Sequence, residues 1–127
     1  MRRVAVTDGM AQEAVKKLES AGCEVVKDFI EHAQLVDGAL ADFDAIIVRS
    51  ATKLTKEMLE ASQPRLKVVA RAGVGVDNID LDAASRLGLP VVNAPRASTQ
   101  SVVELTVGHL LSSLRFIPRA DLSLIHI

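Results

Sequence analysis

The chain has 127 residues, room for one domain of ordinary size, and 49% of them are hydrophobic, enough for a sizeable core. Aromatics make up only 2%, with no Trp or Tyr, so that core must be built from Val, Leu, Ile and Ala. A formal net charge of −1 gives no electrostatic footprint for nucleic acid or for an anionic membrane surface.

The single cysteine, Cys23, excludes an internal disulfide and suits a reducing compartment. In Cys23-Glu24-Val25-Val26 it reads as a small strand hydrophobe and not as a nucleophile. No apolar run reaches the roughly 18–20 residues needed to span a bilayer. Met1-Arg2-Arg3-Val4 leads straight into a strand with no signal-peptide apolar region, so the expectation is a cytoplasmic protein.

Residues 3–7 form a short apolar run that ends at the turn signal Thr7-Asp8-Gly9. Residues 10–20 carry Met10, Ala14, Val15 and Leu18 at helical spacing, and Gly22 stops that helix. A second strand follows at 23–27 and a second helix, weakened by Gly38, at 32–40. Residues 44–48 are almost wholly apolar, as strands buried on both faces are. Polar residues 49–53 interrupt abruptly. A third helix spans 55–61 with Thr55 in the N-cap place, and Pro64 breaks before a fourth strand at 67–70. A helix at 80–86 closes at Gly88, and a fifth strand at 89–92 runs into Asn93-Ala94-Pro95.

Strands alternating with helices imply a parallel sheet with helices on both faces, here a flavodoxin-like doubly wound α/β domain of five strands. Loops that follow parallel strands share one edge of the sheet, and ligands of open α/β sheets bind there. Thr7-Asp8, Arg49-Ser50, Gly73-Val74-Gly75 and Asn93 all fall on that edge. An arginine, hydroxyls, a glycine bend and an amide together describe a site for a small carboxylate or phosphate. Arg49 can grip such a group with two parallel N–H donors; the alternative is a surface ion pair with a neighbouring acid.

The bend at 73–75 is not a dinucleotide fingerprint. The third glycine of that pattern is replaced by Asn78, and the acidic residue expected about 20 positions on is absent from Val91-Val92-Asn93-Ala94-Pro95. Its glycines open backbone angles closed to other residues and let a ligand approach unpaired N–H groups. A plain strand-to-helix turn is the competing reading.

From Ser98 the pattern changes. A long helix is expected over 98–118, with Ser98 or Ser101 as cap and Glu104 three residues after Ser101 as a capping box. Val102, Val103, Leu105, Val107, Leu110, Leu111, Leu114, Phe116 and Ile117 cover far more than one face. Such a helix is buried on several sides, so a further domain or a partner subunit is expected to cover it. His109 reads as an ordinary helix residue. The apolar tail 119–127 ends without a terminator and reads as an interruption.

Four blocks resemble the D-isomer-specific 2-hydroxyacid dehydrogenases: residues 44–52, residues 70–80, Val92-Asn93-Ala94-Pro95, and residues 103–108. The resemblance covers roughly residues 3–121. It implies that 1–95 is the first part of a substrate-binding domain that lacks its C-terminal return segment. It implies that 98–118 crosses into an NAD-binding domain, otherwise missing, and makes a homo-oligomer interface. It implies that Arg49, Ser50, Gly73, Val74, Gly75 and Asn93 bind a small anionic 2-hydroxy or 2-keto acid, and that Val74 and Thr106 touch NAD. The catalytic arginine, glutamate and histidine of that family have no counterpart here, and His32, His109 and His126 match none of them. Neither a metal site nor a nucleic-acid or membrane partner is expected. The chain would then be the inactive N-terminal piece of an enzyme, truncated or frame-shifted. The competing readings are a member of the same family that reduces glyoxylate or hydroxypyruvate, a non-catalytic binding module on the same fold, and a phosphoacceptor receiver, which would want an aspartate where Arg49 stands.

Overall fold

The structure is a computed structural model; it describes residues 1–28 and 30–125, with the side chains of 123–125 left aside. The chain forms two units, Met1–Pro95 and Arg96–Ile127.

The first unit holds five strands: β1 (Arg2–Val6), β2 (Cys23–Val26), β3 (Ala45–Val48), β4 (Val68–Arg71) and β5 (Val91–Asn93). All pair in parallel in the order β2-β1-β3-β4-β5, the doubly wound order expected. Between them lie α1 (Gln12–Ser20), α2 (His32–Val36), α3 (Lys56–Ala61) and α4 (Leu81–Arg86). The second helix expected at 32–40 is cut short. Gly38 takes a left-handed backbone (φ +86°), and a separate 3₁₀ turn, Ala39–Asp42, follows. The fifth strand lies two residues further on than its apolar run suggested, because Leu89 is drawn into the core while its N–H closes α4 on the Ala84 carbonyl.

Register separates the two faces of the sheet. Ala5, Ile46, Val69 and Val91 are in step across β1, β3, β4 and β5. They face a core of Leu35, Leu40, Met58, Leu59, Leu66, Ile79, Ala83 and Ala84 from α2, the 3₁₀ turn, α3, α4 and their loops. The opposite face carries Val4, Ala45 and Val68 in one row and Val6, Ile47, Ala70 and Val92 in the next. Only part of it is covered. Val15 of α1 is buried apart from the main core, and Leu18 borders an apolar hollow of about 500 Å³ along Ala45, Ile47, Val68, Ala70 and Val92. Cys23 lines the same hollow and is half-buried. Helices thus lie on both faces, with the α1 side the less covered.

Helix ends follow local chemistry. The Asp80 side chain accepts the Ala83 N–H at 2.9 Å and caps α4. Thr55 stands at the N-cap of α3 without a side-chain cap bond.

The second unit contains α5 (Thr99–Leu114) and α6 (Ile117–Ile125). The single helix expected over 98–118 is thus two helices. Phe116 adopts a left-handed backbone (φ +53°), and Pro118 suits the first turn of the helix that follows. The expected capping box is not formed. Ser98 occupies the N-cap without a side-chain bond, and Glu104 accepts from Gln100 Nε2 at 2.7 Å. No residue of α5 is buried. Residues 126 and 127 at the end of the expected tail lie outside the described residues.

Candidate anion-binding site

The loops leaving β1, β3, β4 and β5 converge on one edge, fastened by side chains. Oδ2 of Asp8, after β1, accepts the Arg49 N–H at 2.6 Å and the Thr52 N–H at 3.0 Å. Its Oδ1 accepts from the hydroxyls of Thr52 and Thr7, and those hydroxyls lie 3.0 Å apart. Nδ2 of Asn78, after β4, donates to the carbonyls of Arg49 and Thr52, each at 2.7 Å. The loop 49–52 is therefore held by an acceptor on one side and a donor on the other. Burial raises the Asp8 carboxyl, but hydrogen bonds from the Thr52 hydroxyl, the Arg49 and Thr52 amides and the Thr7 hydroxyl outweigh it. The group titrates below its ordinary value and stays ionised.

Arg71 was not singled out from the sequence. It closes β4 directly beside Val48, and its Nη2 donates to Ser50 Oγ at 3.1 Å. Its Nε is buried without a hydrogen-bond partner. Among the described residues, neither Arg49 nor Arg71 pairs with a carboxylate. The signal in the sequence was positional: arginines at the ends of two strands whose neighbourhood only the sheet order reveals.

The paired glycines serve closeness and not unusual angles. Neither Gly73 nor Gly75 has a left-handed backbone. A Cβ on Gly73 would collide with the Arg71 guanidinium, and one on Gly75 would come within 2.8 Å of Asp77 Oδ1. The Gly73 N–H is taken up by the Arg71 carbonyl at 2.9 Å, so it is not among the free amides of the bend. Asn93 Nδ2 donates to the Val74 carbonyl at 2.7 Å, and the Ala94 N–H to the Gly73 carbonyl at 2.9 Å. These bonds tie β5 to the bend and leave the Val74 side chain exposed. The hollow beyond Gly75 is bordered by Asp77, Asp80 and Asp82, the wrong sign for an anion.

The structure thus brings together Arg49, Ser50, Gly73, Val74, Gly75 and Asn93. Thr106 belongs to the other unit, where its hydroxyl donates to the Val102 carbonyl at 2.7 Å. Among the described residues no cluster of metal-ligating side chains occurs, and no helix is long and apolar enough to cross a membrane.

Residues 4–119 match the family described as D-isomer specific 2-hydroxyacid dehydrogenase, catalytic domain. The chain is 45% identical over 124 residues to D-3-phosphoglycerate dehydrogenase of Methanocaldococcus jannaschii, covering 98% of this chain and 23% of that protein. It is 42% identical over 123 residues to hydroxypyruvate reductase of Thermotoga maritima, covering 96% of this chain and 40% of that protein. It superposes on the NAD+-bound 3-phosphoglycerate dehydrogenase of Entamoeba histolytica with a TM-score of 0.70 at 30% identity, covering 87% of this chain and 38% of that one. The chain therefore spans less than half the length of each of these relatives.

Proposed function

From the premise that this chain belongs to the D-isomer-specific 2-hydroxyacid dehydrogenases, we propose that it is the substrate-gripping part of a D-3-phosphoglycerate dehydrogenase. The whole enzyme would oxidise the C2 hydroxyl of 3-phosphoglycerate to the ketone of 3-phosphohydroxypyruvate, at the entry to serine biosynthesis in the cytoplasm. The observation that carries this reading is the pair Arg49 and Arg71, joined through Ser50 on one rim and free of any carboxylate partner among the described residues. A substrate with a carboxylate at one end and a phosphate at the other needs two cationic contacts. Two guanidiniums supply them in the planar, two-donor form that suits both groups. Ser50 and the bend at Val74 and Gly75 add polar contacts, and Asn93 holds that bend in place.

NAD supplies the hydride acceptor in this chemistry. The bend fits the acid and not the pyrophosphate of the dinucleotide. Asn78 stands where a third glycine would be, the Gly73 amide is engaged, and the proton of the Thr106 hydroxyl is committed to its own helix. Val74, exposed on the bend, is the residue we place against the nicotinamide, with Thr106 available to a cofactor only as an acceptor. The pyrophosphate cradle and the proton-transferring groups are assigned to residues outside this chain. Residues 1–127 alone are expected to give no 3-phosphoglycerate-dependent reduction of NAD.

Two apolar surfaces accord with this partial role. The sheet face along Ala45, Ile47 and Val68 is incompletely covered and has room for a further apolar segment. In α5, Val102, Leu105, Leu110 and Leu114 are all more than half exposed, which suits a subunit interface.

The likeness to hydroxypyruvate reductase favours a second reading, a reductase of unphosphorylated hydroxypyruvate or glyoxylate. Titration of the 127-residue chain with 3-phosphoglycerate and with D-glycerate, followed at the amides of Ser50, Gly73 and Val74 by NMR, separates them. The first reading expects 3-phosphoglycerate to bind about tenfold tighter, with Arg71→Gln erasing the difference. Equal affinities favour the second reading, and binding of neither acid removes both.

A further inference from the structure

We propose that Asp8 is a positioning residue: its carboxylate, backed by the Asn78 amide, holds residues 49–52 in the one loop shape that presents Arg49 and Ser50 to an anionic ligand. The inference rests on the reading of this rim as a substrate site and assigns it a part that touches no substrate.

A carboxylate beside an anion site is an electrostatic liability, so its presence calls for a compensating task. The geometry supplies one. Loop 49–52 belongs to no helix or strand. The N–H groups of Arg49 and Thr52 both end on Asp8 Oδ2, and the carbonyls of the same two residues both end on Asn78 Nδ2. Four backbone groups of the loop are thus satisfied by two side chains from other loops, one 41 residues and the other 29 residues away from Arg49. Ser50 and Ala51 are left to project between the two anchored ends. Because Asn78 follows the glycine bend, the same clamp also fixes the distance between that bend and Arg49. Thr7 and Thr52 complete the Asp8 shell with hydroxyl donors, which leaves the carboxylate hydrogen-bonded without any arginine or lysine partner among the described residues. The cations of the rim remain available to a ligand.

The test compares Asp8→Ala, Asp8→Asn and Asn78→Asp in the 127-residue chain, with 3-phosphoglycerate as the probe. Folding is checked by circular dichroism, and hydrogen exchange is followed at the Arg49 and Thr52 amides. Removal of the acceptor in Asp8→Ala, or of the donor in Asn78→Asp, is expected to weaken binding by about tenfold or more and to speed exchange at both amides. Asp8→Asn keeps an oxygen for the two N–H groups while losing the charge, and is expected to bind within about threefold of the parent. Unchanged binding in Asp8→Ala overturns the proposal. So does tighter binding in both Asp8 variants, which would mean that the carboxylate acts only by repulsion, or equal weakening in both, which would mean that its charge matters and its geometry does not. A parent chain that binds no 3-phosphoglycerate defeats the substrate reading instead. Exchange then decides the positioning role: fast in Asp8→Ala and slow in Asp8→Asn supports it, and equal rates in the two refute it.

Discussion

A Cβ placed on Gly73 would overlap Nη1 of Arg71, so the guanidinium of one residue fills the side-chain space of the other. The glycine is what leaves room for the Arg71 guanidinium, which reaches Ser50. Gly73→Ala is therefore expected to turn the Arg71 head group away, because a long flexible side chain yields more easily than the backbone. Stability should change by about 1 kcal/mol or less, while affinity for 3-phosphoglycerate falls by about tenfold. Thermal melts alongside an NMR titration would check both, and unchanged affinity would remove Arg71 from the site.

Two aspartates make the first unit sensitive to acid. The Asp44 carboxylate accepts the Arg3 N–H at 2.7 Å and lies near Arg65; these hold it below its ordinary value. Asp8 is lowered as well, its hydrogen bonds outweighing its burial. Both therefore bind protons less readily folded than unfolded. Their stabilisation is fully present above the unfolded value and is lost as pH falls through the lowered folded values. Urea midpoints should be nearly flat from pH 7 to about pH 5 and decline below about pH 4, less steeply in Asp44→Asn. A midpoint that rises in acid would contradict this.

The cap of α4 and the cap position of α3 should respond differently. Asp80 accepts the Ala83 N–H, whereas Thr55 makes no cap bond. Asp80→Ala is expected to cost about 1 kcal/mol, and Thr55→Ala less than about 0.5 kcal/mol. Chemical denaturation of the two variants side by side decides the matter.

The two sheet faces should also differ. Leu59 is fully buried in the core, and Leu59→Ala is expected to cost roughly 2–5 kcal/mol. Val92, on the half-covered face, is 49% exposed, so Val92→Thr should shift stability by no more than about 0.5 kcal/mol. A large loss at Val92 would mean that another surface covers that face in solution.

Much of the frame was legible because apolar runs at 3–7 and 44–48 are short, uninterrupted and separated by helical spacing. Their alternation dictates parallel strands, and parallel strands dictate a shared edge for the loops. Arg49, Ser50 and Asn93 could be placed from that alone. Arg71 could not, since an arginine closing an apolar run looks like a strand end until register sets it beside Val48. Asp8 could be placed on that edge too, but its task was hidden: Thr7-Asp8-Gly9 reads as a local turn, while the partners of its carboxylate lie 41 and 44 positions along the chain. Of the two reasons read for the paired glycines, close approach holds and an unusual backbone angle does not. The break between α5 and α6 left almost no trace, because Phe is not a residue that advertises a left-handed backbone. Pro118 marked the neighbourhood without marking the turn.

The grip of Asn93 on Val74 hangs from the slightest strand of the sheet. β5 has three residues, borders a single neighbour and exposes its last two side chains. Opening of an edge this thin requires less free energy than disturbing β3, which is flanked on both sides. A ligand site on this rim would accordingly have one stiff jaw and one soft jaw, with arrival and departure expected on the soft side and the stiff side fixing where the charge must go.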